Sequence, residues 1–169
     1  MFRNNRAARI IFPLIIIAIL VAVMEFVDFK KEEKKDTIIG KCTVSIDCKT
    51  VLKNRDTLEM ELRDKVPKDG IILKKTKVDL HKGDTAYDVL YRVTKDNNIS
   101  MESNDTAGNK YVKGIDNFYE FSCGPQSGWL YLVNGKAPNK SSSDYKIKRN
   151  DVVAWRFTCK KGDVKKQNE

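Results

Sequence analysis

The stretch Gly128-Trp129-Leu130-Tyr131-Leu132-Val133-Asn134-Gly135 restricts the fold more than any other. Aromatic and branched side chains favour a pleated strand, and Asn-Gly favours a two-residue turn with positive φ at both positions. Side chains alternate along a strand, so Leu130 and Leu132 take one face while Trp129, Tyr131 and Val133 take the other. Both faces are apolar. Such a strand is buried on both sides or keeps one side for a partner. The aromatics are then either ordinary core or the wall of a binding surface.

Strand and helix signals surround this stretch. Cys42-Thr43-Val44-Ser45-Ile46-Asp47-Cys48 alternates strictly, which predicts a first strand with both cysteines on its core face. One or two short helices are expected over 51–66, ended by Pro67 and Lys68-Asp69-Gly70, and a second strand over 71–80. Thr85 and Asp88 have the spacing of a capping box, and Ala86, Val89, Leu90 and Val93 share the apolar face of the helix that follows. Residues 103–109 are polar and read as a loop. Short strands follow at 111–115 and 118–121, and a last strand carries Val153, Trp155, Phe157 and Cys159 on one face. This order predicts an α+β fold, with helices on one side of a mixed sheet.

The N-terminus places Arg3, Arg6 and Arg9 before an uncharged run from Ile10 to Met24. Extended through Phe29, the run reaches about 30 Å, the thickness of a bilayer core. Arginines ahead of an apolar run stay in the cytoplasm, so the rest of the chain would be exported. The exit carries no small-residue cleavage pattern, which favours a retained signal anchor over a cleaved signal peptide. The expected organisation is a cytoplasmic stub and anchor over 1–29, a charged linker over 30–40, a folded domain over 41–160 and a disordered basic tail over 161–169. The expected location is the cell membrane, crossed once, with the C-terminal domain outside.

Four cysteines in an exported domain, Cys42, Cys48, Cys123 and Cys159, predict two disulfides. A link from Cys159 to Cys48 or Cys42 would join the first and last strands, and Cys123 would take the cysteine left over. No C-x-x-C pair is present and His81 is the only histidine, which argues against a zinc site.

Asp84-Thr85-Ala86-Tyr87-Asp88-Val89-Leu90, Gly114-Ile115, the Trp129-to-Gly135 hairpin, Asp144-Tyr145 and Asn150-Asp151-Val152-Val153 together resemble the transcobalamin C-terminal-like domain. That is a domain of unknown function found on exported Gram-positive proteins. The resemblance spans roughly 44–159 and is closest to the membrane-anchored, cysteine-containing, single-domain branch. It implies a β-grasp-like fold and, by remote analogy, cobalamin as a ligand.

Nothing in the chain has the pattern of a nucleophile elbow or a metal-ligand cluster, so no enzyme is expected. Asp84 and Asp88 flank a helix start, where carboxylates suit the dipole. The expected function is a membrane-tethered binding module for a small ligand or a surface protein. Its candidate contacts are Tyr119, Gln126, Trp129, Tyr131, Asn134 and Tyr145 around the hairpin. The alternatives are a structural or adhesion role and capture of a wall polymer or DNA through Lys136, Lys140, Lys146, Lys148 and Arg149. The net charge of +9 is spread along the chain, which speaks for a lysine-rich surface rather than a nucleic-acid site.

Overall fold

The structure, a computed structural model, describes Ile19, residues 37–106 and residues 108–164. The chain divides into two units, Met1–Thr37 and Ile38–Glu169. The expected anchor over 10–29 lies outside the described residues, apart from Ile19. Among the described residues no helix is long and apolar enough to cross a membrane.

The second unit is α+β with two sheets. Strand β1 (Ile38–Asp47) is followed by three 3-10 turns (Lys49–Lys53, Arg55–Thr57 and Met60–Lys65), β2 (Ile71–His81) and helix α1 (Ala86–Asp96). Next come β3 (Met101–Thr106), β4 (Asn109–Ile115), β5 (Phe118–Tyr119), β6 (Gly128–Val133) and β7 (Val152–Thr158). The first sheet has the order β2-β1-β7-β6, with β1 and β7 parallel at its centre and antiparallel strands outside them. The second is the antiparallel sheet β3-β4-β5.

Alternation decides what each strand buries. Cys42, Val44 and Ile46 of β1 enter the core with Val153, Trp155 and Phe157 of β7 and Trp129 and Val133 of β6. Helix α1 adds Ala86, Val89, Leu90 and Val93 from the single face its periodicity marks. Its capping box forms as expected: the Asp88 N–H donates to Thr85 Oγ1 at 3.2 Å, and the Thr85 N–H donates to Asp88 Oδ2 at 3.0 Å. Two more first-turn donors are met from outside the helix. The Ala86 N–H donates to the Tyr145 carbonyl and the Tyr87 N–H to the Ser142 carbonyl. These bonds tie the 141–147 loop to the helix. Asp84, buried just ahead of the cap, accepts from Arg92 Nη2 and from the His81 N–H, each at 2.8 Å.

Several expectations are corrected. The polar 103–109 segment is not a loop: β3 runs to Thr106 and pairs with β4 from Asn109 onward. An edge strand open on one side needs no apolar alternation, so its sequence Met-Glu-Ser-Asn-Asp-Thr does not advertise it. One mixed sheet becomes two. The Asn134-Gly135 turn forms, with φ of 50° and 74°. Its return arm, however, is a single bridge from Val133 to Lys136, and the long partner of β6 is β7.

The cysteine pairing also differs. Cys123 is joined to Cys159, while Cys42 and Cys48 are buried free thiols. Two features explain the difference. Gly128 of β6 lies opposite Thr158, which brings the turn before β6 against the end of β7. Asp47 lies level with Arg156, so Cys48 falls level with Phe157, two residues short of Cys159. Cys42 and Cys48 cannot join each other, because six residues of one strand span about 20 Å and a disulfide bridges Cα atoms about 4.4–6.8 Å apart.

Beyond β7, Asp163 folds the chain back. Its Oδ2 accepts the Cys159 N–H at 2.8 Å and the Lys160 N–H at 3.1 Å. Residues 165–169 of the expected tail lie outside the described residues.

Candidate functional site

A cleft of about 590 Å³ opens between β4 and β6. One wall is Asn109, Lys110, Tyr111 and Val112; the other is Trp129, Leu130 and Tyr131, with Trp155 of β7 beside them. Ala137, Pro138, Lys140, Ser141 and Ser142 close the end beyond the Asn-Gly turn. The volume falls in the range of roughly 300–1,000 Å³ typical of small-ligand sites.

Each aromatic residue has a distinct job. Trp129 is 8% exposed, sits edge-on to Phe157 at 5.3 Å and donates from Nε1 to the Phe118 carbonyl at 2.8 Å. It therefore belongs to the core and shows the cleft only a margin. Tyr131 is half-buried between Trp155 at 5.5 Å and Tyr145 at 6.2 Å. Its hydroxyl donates to the Lys140 carbonyl at 2.6 Å, pinning the closing loop. Burial pushes its phenol up to about 12, with Tyr145 and Asp144 adding to the shift. Tyr111 is half exposed and donates to Glu120 Oε2 at 2.8 Å; burial and that carboxylate push its phenol up to about 12. Leu130, on the opposite face of β6, is 43% exposed.

The cleft's charge is positive. Lys110 and Lys140 are both exposed, and no acidic side chain lines the walls. Lys110 Nζ stands 5.0 Å above the Tyr87 ring, and the Lys110 N–H donates to Ser143 Oγ at 3.2 Å. On the floor, the buried Trp155 Nε1 has no acceptor among the described residues.

The structure brings together three of the six expected contact residues. Trp129 and Tyr131 line the cleft, and Tyr145 backs Tyr131 from behind. Asn134 is taken up by the turn, donating from Nδ2 to Asp151 Oδ1 and accepting the Val152 N–H at Oδ1, both at 2.8 Å. Gln126 accepts the Lys161 N–H at 3.4 Å, away from the cleft. Tyr119 lies over Gly114, where a Cβ would stand 2.5 Å from its ring. Sequence reasoning missed Lys110, Tyr111 and Trp155. Trp155 carried part of a signal, since it shares the apolar face of the last strand with Val153 and Phe157, but its pairing with Tyr131 is a matter of register.

Of the proposed polyanion contacts, all five are exposed, and two are held to main-chain carbonyls. Lys146 Nζ donates to the Gly83 carbonyl at 2.7 Å, and Arg149 Nη2 to the Ile39 carbonyl at 2.6 Å. A second, polar hollow of about 400 Å³ lies beside β2 and α1, and the Lys41–Asp79 pair at 2.7 Å sits on it.

No curated protein matches the chain. Among solved structures, it is similar to haptocorrin in complex with Cbi, at 13% identity and a TM-score of 0.49 over 72% of this chain. The aligned part is 26% of the haptocorrin chain, so the present chain spans about a quarter of that protein. It is also similar to a protein from Ruminococcus gnavus ATCC 29149 described as a candidate metal binding protein, at 12% identity and a TM-score of 0.39, covering 70% of this chain and 96% of that one. Residues 83–159, from just ahead of the helix cap to the second cysteine of the disulfide, match the family model of a domain of unknown function, DUF4430.

Proposed function

We propose that the unit Ile38–Glu169 is a β-grasp-like, non-catalytic binding module whose ligand sits in the cleft between β4 and β6. The observation that carries this reading is the combination of exposed apolar wall, Tyr111 and Leu130, with cationic rim, Lys110 and Lys140, in one concave place. Aromatic walls with a few polar groups hold flat or extended ligands, and two lysines favour a negative group on them. Two carboxylates stand near the site: Glu120 takes the Tyr111 hydroxyl, and Asp144, exposed, helps to raise the Tyr131 phenol.

Cobalamin is one small ligand for this module, proposed on the family resemblance alone. We further propose that the first 29 residues tether the module to a membrane with the domain outside. That reading is supported by the arginine-flanked apolar run. Protease protection in intact cells tests it: digestion of the domain from outside is expected, and full protection would defeat it.

The binding reading is tested with the full chain in detergent micelles, by NMR titration with a library of small aromatic carboxylates. Shifts should gather on 109–112, 129–131 and 137–142, and Tyr111→Ala combined with Leu130→Ala should abolish them while leaving the fold intact. Shifts that gather elsewhere, or none at all, would overturn the assignment.

A further inference from the structure

Resting on the membrane tether proposed above, we infer that one end of the first sheet is a docking surface for an anionic phospholipid bilayer. The sheet order decides which segments meet there. β1 and β7 run parallel, and β2 and β6 run against them. The start of β1, the end of β2, the end of β6 and the start of β7 therefore share one end. The register agrees. Ile38 lies opposite His81, the Asn150 N–H donates to the Lys41 carbonyl at 2.8 Å, and the Asn134 N–H donates to the Val152 carbonyl at 2.8 Å. This end is built from the entry of the chain at Ile38, the turn after His81, the Asn134-Gly135 turn and the segment ahead of Val152.

Those segments carry Lys82, Lys136, Lys146, Lys148 and Arg149, all exposed. They are far apart in the sequence, so the topology gathers their charge. Two are fixed in place. Lys146 Nζ is held on the Gly83 carbonyl at 2.7 Å. The Arg149 guanidinium lies across Gly40, where a Cβ would stand 2.7 Å from Nε, and both Nε and Nη2 donate to the Ile39 carbonyl. Its Nη1 has no hydrogen-bond partner among the described residues, and a guanidinium so placed suits a phosphate oxygen.

Most of the acids at this end are engaged. Asp84 is buried against Arg92, Asp79 pairs with Lys41 at 2.7 Å, and Asp151 accepts from the Lys148 N–H and from Asn134 Nδ2, each at 2.8 Å. Asp144 is exposed two residues ahead of Lys146. The opposite end of the sheet differs: there Asp47, Asp69 and Asp163 stand among Lys49, Lys68, Lys160 and Lys161, and the signs nearly cancel. The cationic end also presents Ile38, 57% exposed. Cations beside an apolar side chain suit a headgroup layer, where the charges meet phosphates and the apolar group enters the acyl boundary.

Position favours a bilayer over a soluble polyanion. The chain enters the domain through this same end. Residues 30–37 alone separate Phe29 from Ile38, a reach of roughly 30 Å at full extension. A surface held that close to headgroups meets them at a far higher effective concentration than it meets a free polymer.

The test uses the full chain in lipid nanodiscs, of phosphatidylcholine alone or with a third of the lipid replaced by phosphatidylglycerol. Acetylation of each lysine by a neutral reagent is followed by mass spectrometry. Lys82, Lys136, Lys146 and Lys148 should react several-fold more slowly in the anionic discs, and the protection should vanish in high salt. Lys49, Lys68 and Lys160 should not change. Lys82→Gln, Lys136→Gln and Lys148→Gln together remove three cations, each worth about fivefold in partitioning to an anionic surface. That variant should return Lys146 to its rate in neutral discs. No protection, equal protection in both discs, protection that survives high salt, or protection at the opposite end would each overturn the inference. Equal protection by soluble polyphosphate would assign the surface to a wall polymer and overturn it as well. Retention of the chain in discs washed with high salt reads the tether separately. A chain that is retained without protection keeps the tether and loses the docking surface. A chain that washes off loses the tether; the docking surface then stands only if the freed chain sediments with phosphatidylglycerol vesicles at low salt and the triple variant does not.

Discussion

Replacing Trp129 separates core from surface on the strand that organises this fold. The indole is 8% exposed, packs edge-on against Phe157 and closes a hydrogen bond to the Phe118 carbonyl. Truncating a buried aromatic to alanine costs about 3–5 kcal/mol, because transfer energy is lost and a cavity remains. It also leaves the Phe118 carbonyl without its donor. A loss of about 4 kcal/mol corresponds to a fall in Tm of roughly 10–20 °C for a domain of this size. Trp129→Phe keeps a ring against Phe157 and loses only the donor and part of the volume, so its cost should be about 1–2 kcal/mol. Thermal unfolding followed by near-ultraviolet circular dichroism reads both variants. A Tm for Trp129→Ala within about 3 °C of the parent would refute the packing argument, since no buried indole is removed so cheaply.

Other measurements test the chemistry of buried groups. Burial pushes the Cys42 thiol up to about 11 and the Cys48 thiol up to about 12, which keeps both protonated and slow to react near neutral pH. The oxidised chain should release two thiols to a thiol reagent on unfolding without reductant, and almost none when folded; zero or four on unfolding would contradict the pairing. Tyr111 and Tyr131 are each pushed up to about 12, above the ordinary phenol value. The folded state holds those protons more tightly, so their contribution to stability is full below about pH 10 and is lost as pH rises through about 12. A phenolate absorbance titration should find the Tyr111 and Tyr131 phenols still protonated at about pH 11, and Tyr131→Phe should remove one late-titrating phenol from the curve. Complete ionisation by that pH would show that these hydroxyls are not held as described.

The features legible in the chain are those set within a few residues. Thr85 and Asp88 specify a helix start because both bonds of the capping box close inside one turn. Asn134-Gly135 specifies a turn because few other residues accept positive φ twice in succession. The alternation in Cys42–Cys48 and in Val153–Cys159 specifies which side chains enter the core, since a strand offers only two faces. What failed was legible only across the fold. β3 carries no apolar pattern because one of its edges and much of its surface meet water.

Local rules thus determined the strand faces, the helix with its cap, the tight turn and the burial of all four cysteines. The tertiary register decided the rest. Gly128 opposite Thr158 chose Cys123 for Cys159 and left Cys42 and Cys48 as thiols. The arrival of β7 beside β6 denied the Asn-Gly turn a long return strand and brought Trp155 under Tyr131. Pairing partners and gaps between sheets depend on segments far apart in the chain, and no short stretch of sequence carries that information.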